Sequence, residues 1–559
     1  MSYPPPESMR PTLVGDHWSV VGGHHLVSQV AADVLRRGGN AIDAGVAAGL
    51  ASNVVQPDMC NLGGIASVLV RRAGDPTPYS VAGVGTWGAS ADRATILETY
   101  GGDLPPGGVP CIVPGAPSAW ITALERFGTW SFADVAAPAA ELATDGFPLD
   151  IRTAQSLEIT GRDFAQWPSS REVYWPNGRP PRPGERLVQP ALGRLLRDLA
   201  AAETGASRGD RLAAVHDHFY RGEVAQTVVD FVQAHGGYLD TADLAGFRAE
   251  VAPAPSVSYG GWQVHVTPTW SQGMIVAQAL GLLRSTDLKA LGHNSSDYLH
   301  RIVETLKVAF AERERRYGDP VVTGLDPAAL VDEERLARLR AEIGERARPS
   351  APVYGAAAPP PRSTTAVTVV DAAGNAFSSA ISDTLDGGPI IPELGILCSH
   401  RGVQSRLLAG HPNELAPGKR PCVTPSALIA LRGNGIPGDG HDVWAIACPG
   451  ADVIVQAILQ CFLNVVEFGQ TPQQAVEAAR LAAYSFPAGF HPHGQHDRLI
   501  RVEDRVPEPV RADLAARGHQ VEPWPDYAFD AGSVQMSRVV DGVLSAGADP
   551  RRSAYAIVR

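Results

Sequence analysis

The stretch PPPRSTTAVTVVDAAGNAF, residues 359 to 377, organises the rest of the chain. A Pro/Ala-rich segment with neither helical nor strand periodicity ends at Arg362, and the hydroxyl run Ser363-Thr364-Thr365 opens a strand of β-branched residues. The Asp-Ala-Ala-Gly-Asn sequence that follows predicts a tight turn into a second strand. The stretch therefore predicts an irregular linker that meets a β-hairpin at a threonine.

A threonine in this position suits an enzyme that cuts its own backbone before Thr364. The new N-terminal residue would carry two reactive groups, because its hydroxyl attacks a substrate while its α-amine takes the proton. An α-amine has an unperturbed pKa of roughly 8, so it can act as a base near neutral pH without a histidine. The same residues also fit a linker followed by an ordinary strand, so the remainder of the chain has to decide.

Length and composition limit the class of protein. With 559 residues the chain exceeds one hydrophobic core, yet the only long low-complexity boundary is the linker at 346–363. Two intimately packed halves are therefore expected. A formal net charge of −12, with 19% charged residues and no basic cluster, argues against a nucleic-acid surface.

The cysteines and the N-terminus bear on location. Six scattered cysteines show no CxxC pair or framework spacing and predict reduced, mostly buried thiols; they are Cys60, Cys111, Cys398, Cys422, Cys448 and Cys461. The N-terminus has no charged segment followed by an apolar run, and no stretch reaches about 18 apolar residues. The expectation is a cytoplasmic protein without a membrane segment.

The first seventy residues have clear local signals. Residues 18–21 predict a short strand, and 25–37 predict a helix closed by two glycines. Asn40 is placed to cap a second helix, whose small residues would let it lie close to a sheet. A turn-rich loop, QPDMCNLGG at 56–64, then leads into a strand over 65–71.

The segment LRRGGNAIDAGVAAGLASNVVQPDMCNLGG, residues 35–64, resembles the N-terminal signature of the gamma-glutamyltranspeptidase family. Later segments follow that family's order and extend the resemblance over nearly the whole chain. They are residues 113–149, 219–247, 268–273 and 304–320, then PGKRP at 417–421, PG at 449–450 and GADPRR at 547–552.

The resemblance implies an α+β fold of the N-terminal-nucleophile hydrolase type, a four-layer αββα sandwich of two antiparallel sheets with helices on both outer sides. It places self-cleavage between Ser363 and Thr364. The large subunit would be 1–363, ending in the linker 346–363, and the small subunit 364–559 would have 559 − 363 = 196 residues. Together they would form one αββα unit.

The resemblance also assigns the catalytic positions. Thr364 would be the nucleophile twice, first on its own preceding carbonyl and then on substrate. Ser382 would be a second hydroxyl that orients it, although a polar-face strand serine is the alternative. Gly450 and Ala451 would form the oxyanion hole through their backbone N–H groups. Ala451 departs from the family's paired glycines, and the donor survives this change if φ is negative there.

The substrate clamps depart from the family's pattern. Val84 stands where the family has an arginine for the α-carboxylate of a γ-glutamyl group, and Gln404 falls near the acid that holds the α-amino group. Two serines that follow the PGKRP-like element are absent, since residues 422–425 read CVTP. A buried carboxylate or ammonium needs fixed partners. Their loss argues against glutathione as the preferred substrate.

Other residues are candidates for a changed pocket. Trp87 and Trp270 should border it by analogy, although core packing is the common role of large aromatics. Arg401, or His400 beside it, could supply a new positive charge. Such a pocket would favour an acyl group without an α-amino-acid head.

A histidine-rich loop raises the question of a metal. His491, His493, His496 and Asp497 could ligate one, but the loop is broken by Pro and Gly and offers no fixed geometry. We therefore predict no metal and no cofactor. Arg551 is expected to form structural salt bridges near the C-terminus.

The sequence thus predicts a self-cleaving amidohydrolase or acyltransferase that works through an acyl-enzyme on Thr364 and takes a small-molecule amide. One alternative is a true γ-glutamyl hydrolase or transferase with a rebuilt clamp, and another is cleavage of a different bond, including carbon–carbon. A third is an unprocessed binding protein on the same fold. Beyond the two subunits of one precursor, no nucleic-acid or membrane partner is expected.

Overall fold

The structure is a computed structural model that describes residues 8–349, 364–433 and 442–559. Most of the predicted linker, with Ser363, lies outside these ranges. The strands are β1 Leu13–Gly15, β2 Trp18–Gly22, β3 Ile65–Arg71, β4 Tyr79–Gly83, β5 Phe147–Pro148, β6 Arg186–Leu187, β7 Glu250–Pro253, β8 Ser256–Tyr259, β9 Trp262–Val266, β10 Thr365–Asp371, β11 Ala376–Ser382, β12 Ala427–Arg432, β13 Asp442–Ala447, β14 Leu481–Ala483, β15 Leu499–Glu503, β16 Gln520–Trp524, β17 Gln535–Val540, β18 Val543–Ala548 and β19 Tyr555–Val558.

The α-helices lie between groups of these strands along the chain. They are α1 His25–Arg36, α2 Ala41–Val55, α3 Arg93–Tyr100, α4 Ala116–Phe127, α5 Phe132–Asp145, α6 Ile151–Phe164, α7 Pro168–Tyr174, α8 Pro190–Ala201, α9 Arg208–Arg221, α10 Glu223–Ala234, α11 Thr241–Gly246, α12 Gly273–Leu283, α13 Leu288–Leu291, α14 Ser296–Arg316, α15 Pro320–Thr323, α16 Glu333–Arg340, α17 Val453–Val466, α18 Pro472–Glu477 and α19 Glu508–Ala516. Short 3₁₀ helices occur at Pro327–Leu330, Leu385–Gly387, Arg401–Gln404 and Phe529–Ala531.

Two seven-stranded sheets form the centre of the protein. The first has the order β1-β18-β17-β13-β12-β9-β8, and the second has the order β19-β2-β10-β11-β3-β4-β7. Neighbouring strands within both sheets run antiparallel. Smaller sheets, β14-β15-β16 and β5-β6, lie at the periphery.

The sheets stack face to face, with a helical layer on each outer side. Apolar residues from both sheets, among them Leu69, Val370 and Ile429, form the core between them. Helices α2, α4 and α5 build a second core on the outer face of the β10–β11 sheet, and α12, α14 and α17 build a third on the other side. This α+β arrangement confirms the predicted four-layer αββα fold.

The predicted hairpin at the organising stretch is present. Strands β10 and β11 pair with Thr365 opposite Ile381 and Val370 opposite Ala376. The turn is held by the Asp371 carboxylate, which accepts the backbone N–H of Asn375 at 3.0 Å and its side-chain amide at 2.8 Å. Gly374 has φ +87°, a conformation that glycine adopts without strain.

The N-terminal predictions also hold. Strand β2, helices α1 and α2 and strand β3 lie where the local signals placed them, and the Asn40 side chain caps α2 in a capping box. The small residues of α2 permit close packing on the second sheet. A Cβ at Gly45 would lie 2.2 Å from the Phe377 ring, so only glycine allows this approach.

Both large sheets contain strands from either side of Thr364. In the second sheet, β10 lies between β2, which precedes Thr364 in the chain, and β11, which follows it. In the first sheet, β12 pairs with β9, and β18 pairs with β1. The segments before and after Thr364 therefore form one folded unit.

No helix within the described ranges is long and apolar enough to span a membrane. The six cysteines, all within those ranges, are buried and form no disulfide. Burial raises the pKa of Cys448 and Cys422 to about 12, which makes these thiols poor nucleophiles. The expectation of reduced, buried cysteines is thus met.

Candidate active site

Thr364 and Ser382 lie side by side at one end of the β10–β11 hairpin. The register that sets Thr365 opposite Ile381 also sets the residue before β10 opposite the last residue of β11. The two hydroxyl oxygens are 2.8 Å apart, and both side chains are buried. Ser382 Oγ in turn accepts a hydrogen bond from Arg401 Nη2 at 2.5 Å. Since an arginine only donates, the Ser382 proton is available for the Thr364 hydroxyl.

Arg401 is held by a buried carboxylate next to Ser382. Its Nε lies 2.9 Å from Asp383 Oδ1, and the other carboxylate oxygen accepts from Ser399 Oγ at 2.7 Å. The Arg401 guanidinium also lies over the Phe490 ring at 5.0 Å. These contacts fix the orientation of the guanidinium toward Ser382. Burial lowers the pKa of the neighbouring His400, which favours its neutral form near pH 7.

The backbone at Thr364 is strained. Its φ is +96°, a region that β-branched residues rarely occupy, and its N–H donates to the Met59 carbonyl at 2.9 Å. Such a conformation costs on the order of 1–3 kcal/mol and is maintained by its surroundings. The torsion involves the bond to residue 363, so breaking that bond removes the strain.

Arg552 contacts the backbone of Thr364. Its Nη1 donates to the Thr364 carbonyl at 3.4 Å and lies 3.9 Å from Met59 Sδ, while its guanidinium stacks over the Phe529 ring at 4.0 Å. Burial lowers the Arg552 pKa to about 10, so the group stays cationic at neutral pH.

A small polar cavity of about 40 Å³ adjoins Thr364. That volume holds a few water molecules at most. Its walls include Gln56, Asp58, Arg152, Ser156, Thr364, Pro449, Gln535 and Arg552. Asp58 is 4% exposed, and burial raises the pKa of its carboxyl to about 6, although a hydrogen bond from Ser156 opposes the rise. One Asp58 oxygen, Oδ1, has no hydrogen-bond partner within the described residues.

Gly450 and Ala451 form the turn before α17. Gly450 has φ +136° and Ala451 has φ +51°, so the negative φ under which an alanine would fit this donor position without strain is not present. The alanine occupies the left-handed region at a steric cost. Within the described residues neither N–H donates a hydrogen bond. The next residue, Asp452, accepts from Arg313 Nη1 at 2.8 Å and Gln272 Nε2 at 2.9 Å, which holds the turn in place.

Val84, Trp87 and Trp270 belong to one buried apolar cluster with Ile65, the strand partner of Ser382. Trp87 and Trp270 are 0% and 2% exposed, and Trp87 Nε1 donates to Ser405 Oγ at 2.9 Å. None of the three lines the cavity at Thr364. They are packed in the intact chain, and their contact with substrate stays a prediction.

Gln404 follows Arg401 on the same 3₁₀ turn. Its side-chain Nε2 donates to Thr424 Oγ1 at 3.3 Å, and its backbone carbonyl accepts from Asn413 Nδ2 at 2.8 Å. Its Oε1 is buried without a hydrogen-bond partner in the described part of the chain. An amide oxygen in that state can accept from a ligand donor, but the role of Gln404 in substrate binding stays a prediction.

Two candidate metal ligands of the histidine-rich loop already contact other protein groups. His493 is hydrogen-bonded to Arg406 and to the Ser405 carbonyl, and His491 contacts Asp103. A different group, His300, Glu304 and His519, is close enough to hold a metal ion, although the ammonium of Lys307 already lies 2.9 Å from Glu304. The sequence analysis missed this group because His519 is far from the other two in the chain.

Arg551 makes the structural ion pairs expected of it, with Glu503 at 2.7 Å and Asp549 at 3.1 Å. The residues that the analysis missed lie beside ones that it named: Asp383 follows Ser382, and Arg552 follows Arg551. Asp58 lies in the turn-rich loop at 56–64. Asp58 and Arg552 are charged residues within segments that carry the family resemblance, which was the available signal.

The gamma-glutamyltranspeptidase family model matches residues 27–558. The chain belongs to this family. The Acylase ACY 1 proenzyme of Pseudomonas sp. (strain SE83) is 30% identical over 550 residues, covering 96% of this chain and 92% of the relative. The Glutathione hydrolase-like YwrD proenzyme of Bacillus subtilis (strain 168) is 30% identical over 556 residues, covering 98% and 100%.

The crystal structure of cephalosporin acylase from Bacillus halodurans has a TM-score of 0.87 at 28% sequence identity and covers 100% of this chain and 98% of its own. Its fold is therefore shared along the whole length. The chain is a self-processing amidohydrolase proenzyme of the N-terminal-nucleophile type. Because the relatives carry the names of both acylases and glutathione hydrolases, family membership leaves the acyl group open.

Proposed function

We propose that Thr364 is the nucleophile of an amidohydrolase that first cuts the bond between Ser363 and Thr364. The observation that carries this proposal is the contact of Thr364 Oγ1 with Ser382 Oγ at 2.8 Å, backed by Arg401. The hydroxyl attacks, and after cleavage the free α-amine of the same residue takes its proton. Ser382, fixed by Arg401, orients the hydroxyl.

In turnover, the Thr364 oxygen forms a bond to the substrate carbonyl carbon, and the amide nitrogen leaves with a proton from the α-ammonium group. Water then hydrolyses the ester and releases the acid. The N–H groups of Gly450 and Ala451, free of other acceptors within the described residues, are assigned to the developing oxyanion. Pro449, just before them, lines the cavity at Thr364, which supports this assignment.

The acyl group, in this proposal, lacks an α-amino-acid head. Val84 is fully buried among apolar residues and offers no charge for an α-carboxylate. The guanidinium of Arg401 is already paired with Asp383, and Gln404 supplies an amide in place of an acid. A glutathione-type substrate would therefore lose partners at both ends, whereas an aliphatic or aromatic acyl group would not.

A γ-glutamyl enzyme with a rebuilt clamp is the second candidate. The half-satisfied amide of Gln404 supports it, because its Oε1 could accept from an α-ammonium group. This enzyme would hydrolyse a γ-glutamyl anilide faster than anilides whose acyl group has no amino group. The first candidate predicts the reverse order of kcat/KM.

The two pieces are proposed to stay together after cleavage, with 1–363 as the large and 364–559 as the small subunit. The support is that both pieces contribute strands to both sheets. We keep the cytoplasm as the proposed location, on the basis of the six unpaired thiols.

The test is a denaturing gel with intact-mass measurement of the wild type beside Thr364→Ala. The expected result is two wild-type pieces of 363 and 196 residues, the smaller beginning at Thr364, and one uncut chain of 59.0 kDa in the variant. A wild type that stays whole after long incubation would contradict the proposal and favour a binding protein on this fold.

A further inference from the structure

Asp58 is a buried acid that has no role in the proposed catalytic turnover. It lies in the loop between α2 and β3 and lines the small cavity beside Thr364. The next residue, Met59, accepts the Thr364 N–H through its carbonyl at 2.9 Å. Asp58 and Thr364 thus line the same cavity, and the residue next to Asp58 holds the nitrogen that must leave when the chain cuts itself.

The Asp58 carboxyl has few hydrogen-bond partners for a buried charged group. A hydrogen bond from Ser156 reaches it, but Oδ1 has no partner within the described residues. Burying a polar oxygen without a hydrogen bond costs free energy, so we expect this oxygen to have a functional role. The cavity in front of it has room for water that could connect it to Thr364.

We propose that Asp58 is the proton shuttle of self-cleavage. In that step Thr364 Oγ1 forms a bond to the carbonyl carbon of Ser363, the bond from this carbon to the Thr364 nitrogen breaks, and one proton passes from Oγ1 to the nitrogen. The Asp58 carboxylate takes the proton from Oγ1 through the cavity and returns it to the nitrogen. Water then hydrolyses the ester, which gives the Ser363 carboxylic acid and restores the Thr364 hydroxyl.

One group can serve both atoms because the oxygen and the nitrogen belong to the same residue. Before cleavage the nitrogen is an amide, so the α-amine that acts as base in turnover does not yet exist. Ser382 cannot replace it, since Arg401 donates to its oxygen and no carboxylate of the described residues is hydrogen-bonded to that hydroxyl. The shuttle therefore covers the one step that the proposed nucleophile cannot catalyse by itself.

Burial is the main influence on the protonation of Asp58, and nearby charges modify it. Arg552 and Arg152 share the cavity wall, Asp150 lies at the start of α6, and His24 lies at the start of α1. Burial outweighs the cations and raises the Asp58 pKa to about 6. A base with such a pKa is ionised at neutral pH yet still accepts a proton readily.

The inference rests on the proposed self-cleavage at Thr364, and the experiment separates the two. Full-length chain is made by pulse-labelled cell-free translation, and the first-order rate of cutting is followed on denaturing gels from pH 5 to pH 9. Wild type, Thr364→Ala, Asp58→Asn and Asp150→Asn are compared. Asp150→Asn is the matched control, because it removes a nearby charge and an asparagine also caps α6.

The expected wild-type rate rises with pH through about 6 and then levels, because the shuttle starts as a carboxylate. Asp58→Asn should cut at least about tenfold more slowly and lose this inflection, while Asp150→Asn keeps it. A cut Asp58→Asn chain with the wild-type rate and profile overturns the shuttle and leaves Thr364 in place. An uncut wild type overturns the proposed function itself.

A second measurement guards against a folding defect in Asp58→Asn. Asp58→Ala opens space at the cavity, and added formate is a carboxylate small enough to enter it. The expected result is that formate restores cutting of Asp58→Ala with a rate that increases with formate concentration. It should not restore Thr364→Ala. Slow cutting that formate leaves unchanged would assign Asp58 a purely structural part and overturn the shuttle.

Discussion

The guanidinium of Arg401 binds the Ser382 hydroxyl at 2.5 Å and the Asp383 carboxylate at 2.9 Å, so two consecutive residues at the end of β11 share one cation. Asp383 is fully buried and has φ +101°, which is rare outside glycine. The strand end therefore depends on this ion pair for its shape. Thr364 contacts the same assembly through Ser382.

Removing the Arg401 cation should destabilise the protein. Arg401→Gln leaves the Asp383 carboxylate buried with its cation missing, and losing one partner of a buried pair typically costs about 3–5 kcal/mol. Thermal unfolding would measure the loss. Arg338→Gln is the control, because Arg338 and Glu334 form an exposed pair on α16 and little change is expected there. Equal melting temperatures for the two variants would contradict the dependence on Arg401.

Ser382 should affect rate more than binding. Ser382→Ala removes the hydroxyl that orients Thr364, so kcat of the matured enzyme should fall by about tenfold to a hundredfold while KM changes little. Ser382→Thr keeps a hydroxyl on the strand and should recover part of the activity. An unchanged kcat in Ser382→Ala would show that the serine is only a structural residue of the strand and does not orient Thr364.

Ala451→Gly should raise stability. The left-handed conformation costs a non-glycine residue roughly 1–2 kcal/mol, whereas a glycine loses only about 0.4–1 kcal/mol through the unfolded chain. The net gain in the free energy of unfolding is therefore between zero and about 1.6 kcal/mol, and denaturant titration would measure it. Ala512→Gly, on the exposed face of α19, should have the opposite sign. A destabilised Ala451→Gly would show that the turn tolerates alanine without strain.

Gly23→Ala should slow self-cleavage. An added Cβ would lie 1.9 Å from Thr365 Oγ1 and 2.8 Å from Gln56 Oε1, so the start of β10 would have to move. A shift of the strand start displaces Thr364 from Ser382. Gly246→Ala is the matched control, because a Cβ there meets nothing within 4 Å. The fraction of uncut chain after a fixed time is the measurement, and equal fractions would contradict the prediction.

The buried Asp58 should lower stability at neutral pH. Its folded pKa of about 6 exceeds the reference value of 3.8, so the folded state binds more protons between these values and stability falls as pH rises through that window. Above pH 6 the penalty is roughly 3 kcal/mol. Asp58→Asn, on the uncut Thr364→Ala background, should therefore melt higher at pH 8 and about equally at pH 4. A lower melting temperature at pH 8 would contradict this sign.

Much of this architecture could be predicted from the sequence. The β-branched run after Thr364 and the turn at Gly374 set the hairpin and its register, and that register alone places Ser382 opposite Thr364. The Asn40 cap and the small residues of α2 likewise define a helix packed on a sheet. These features are local, so a few neighbouring residues determine them.

The charges around the site could not be predicted in the same way. Asp58, Asp383 and Arg552 are distant in the chain and come near Thr364 only because strands from before and after Thr364 share the same two sheets. Their burial, and with it the shifted pKa of Asp58, arises from packing that no local pattern contains. The φ of Ala451 depends on contacts made by Asp452 with Arg313 and Gln272, which lie in other segments.

The interleaved strands also impose an order of events on the life of the protein. Thr364 meets Ser382 and Met59 only after β10 has joined β2 and β11, so an unfolded or misfolded chain cannot cut itself. Once cut, unfolding would release two separate polypeptides, and their return would become a bimolecular encounter that depends on concentration. Cleavage therefore takes place only in a molecule that has folded, and a cleaved molecule that unfolds does not easily refold. Each molecule thus has a single opportunity to become active.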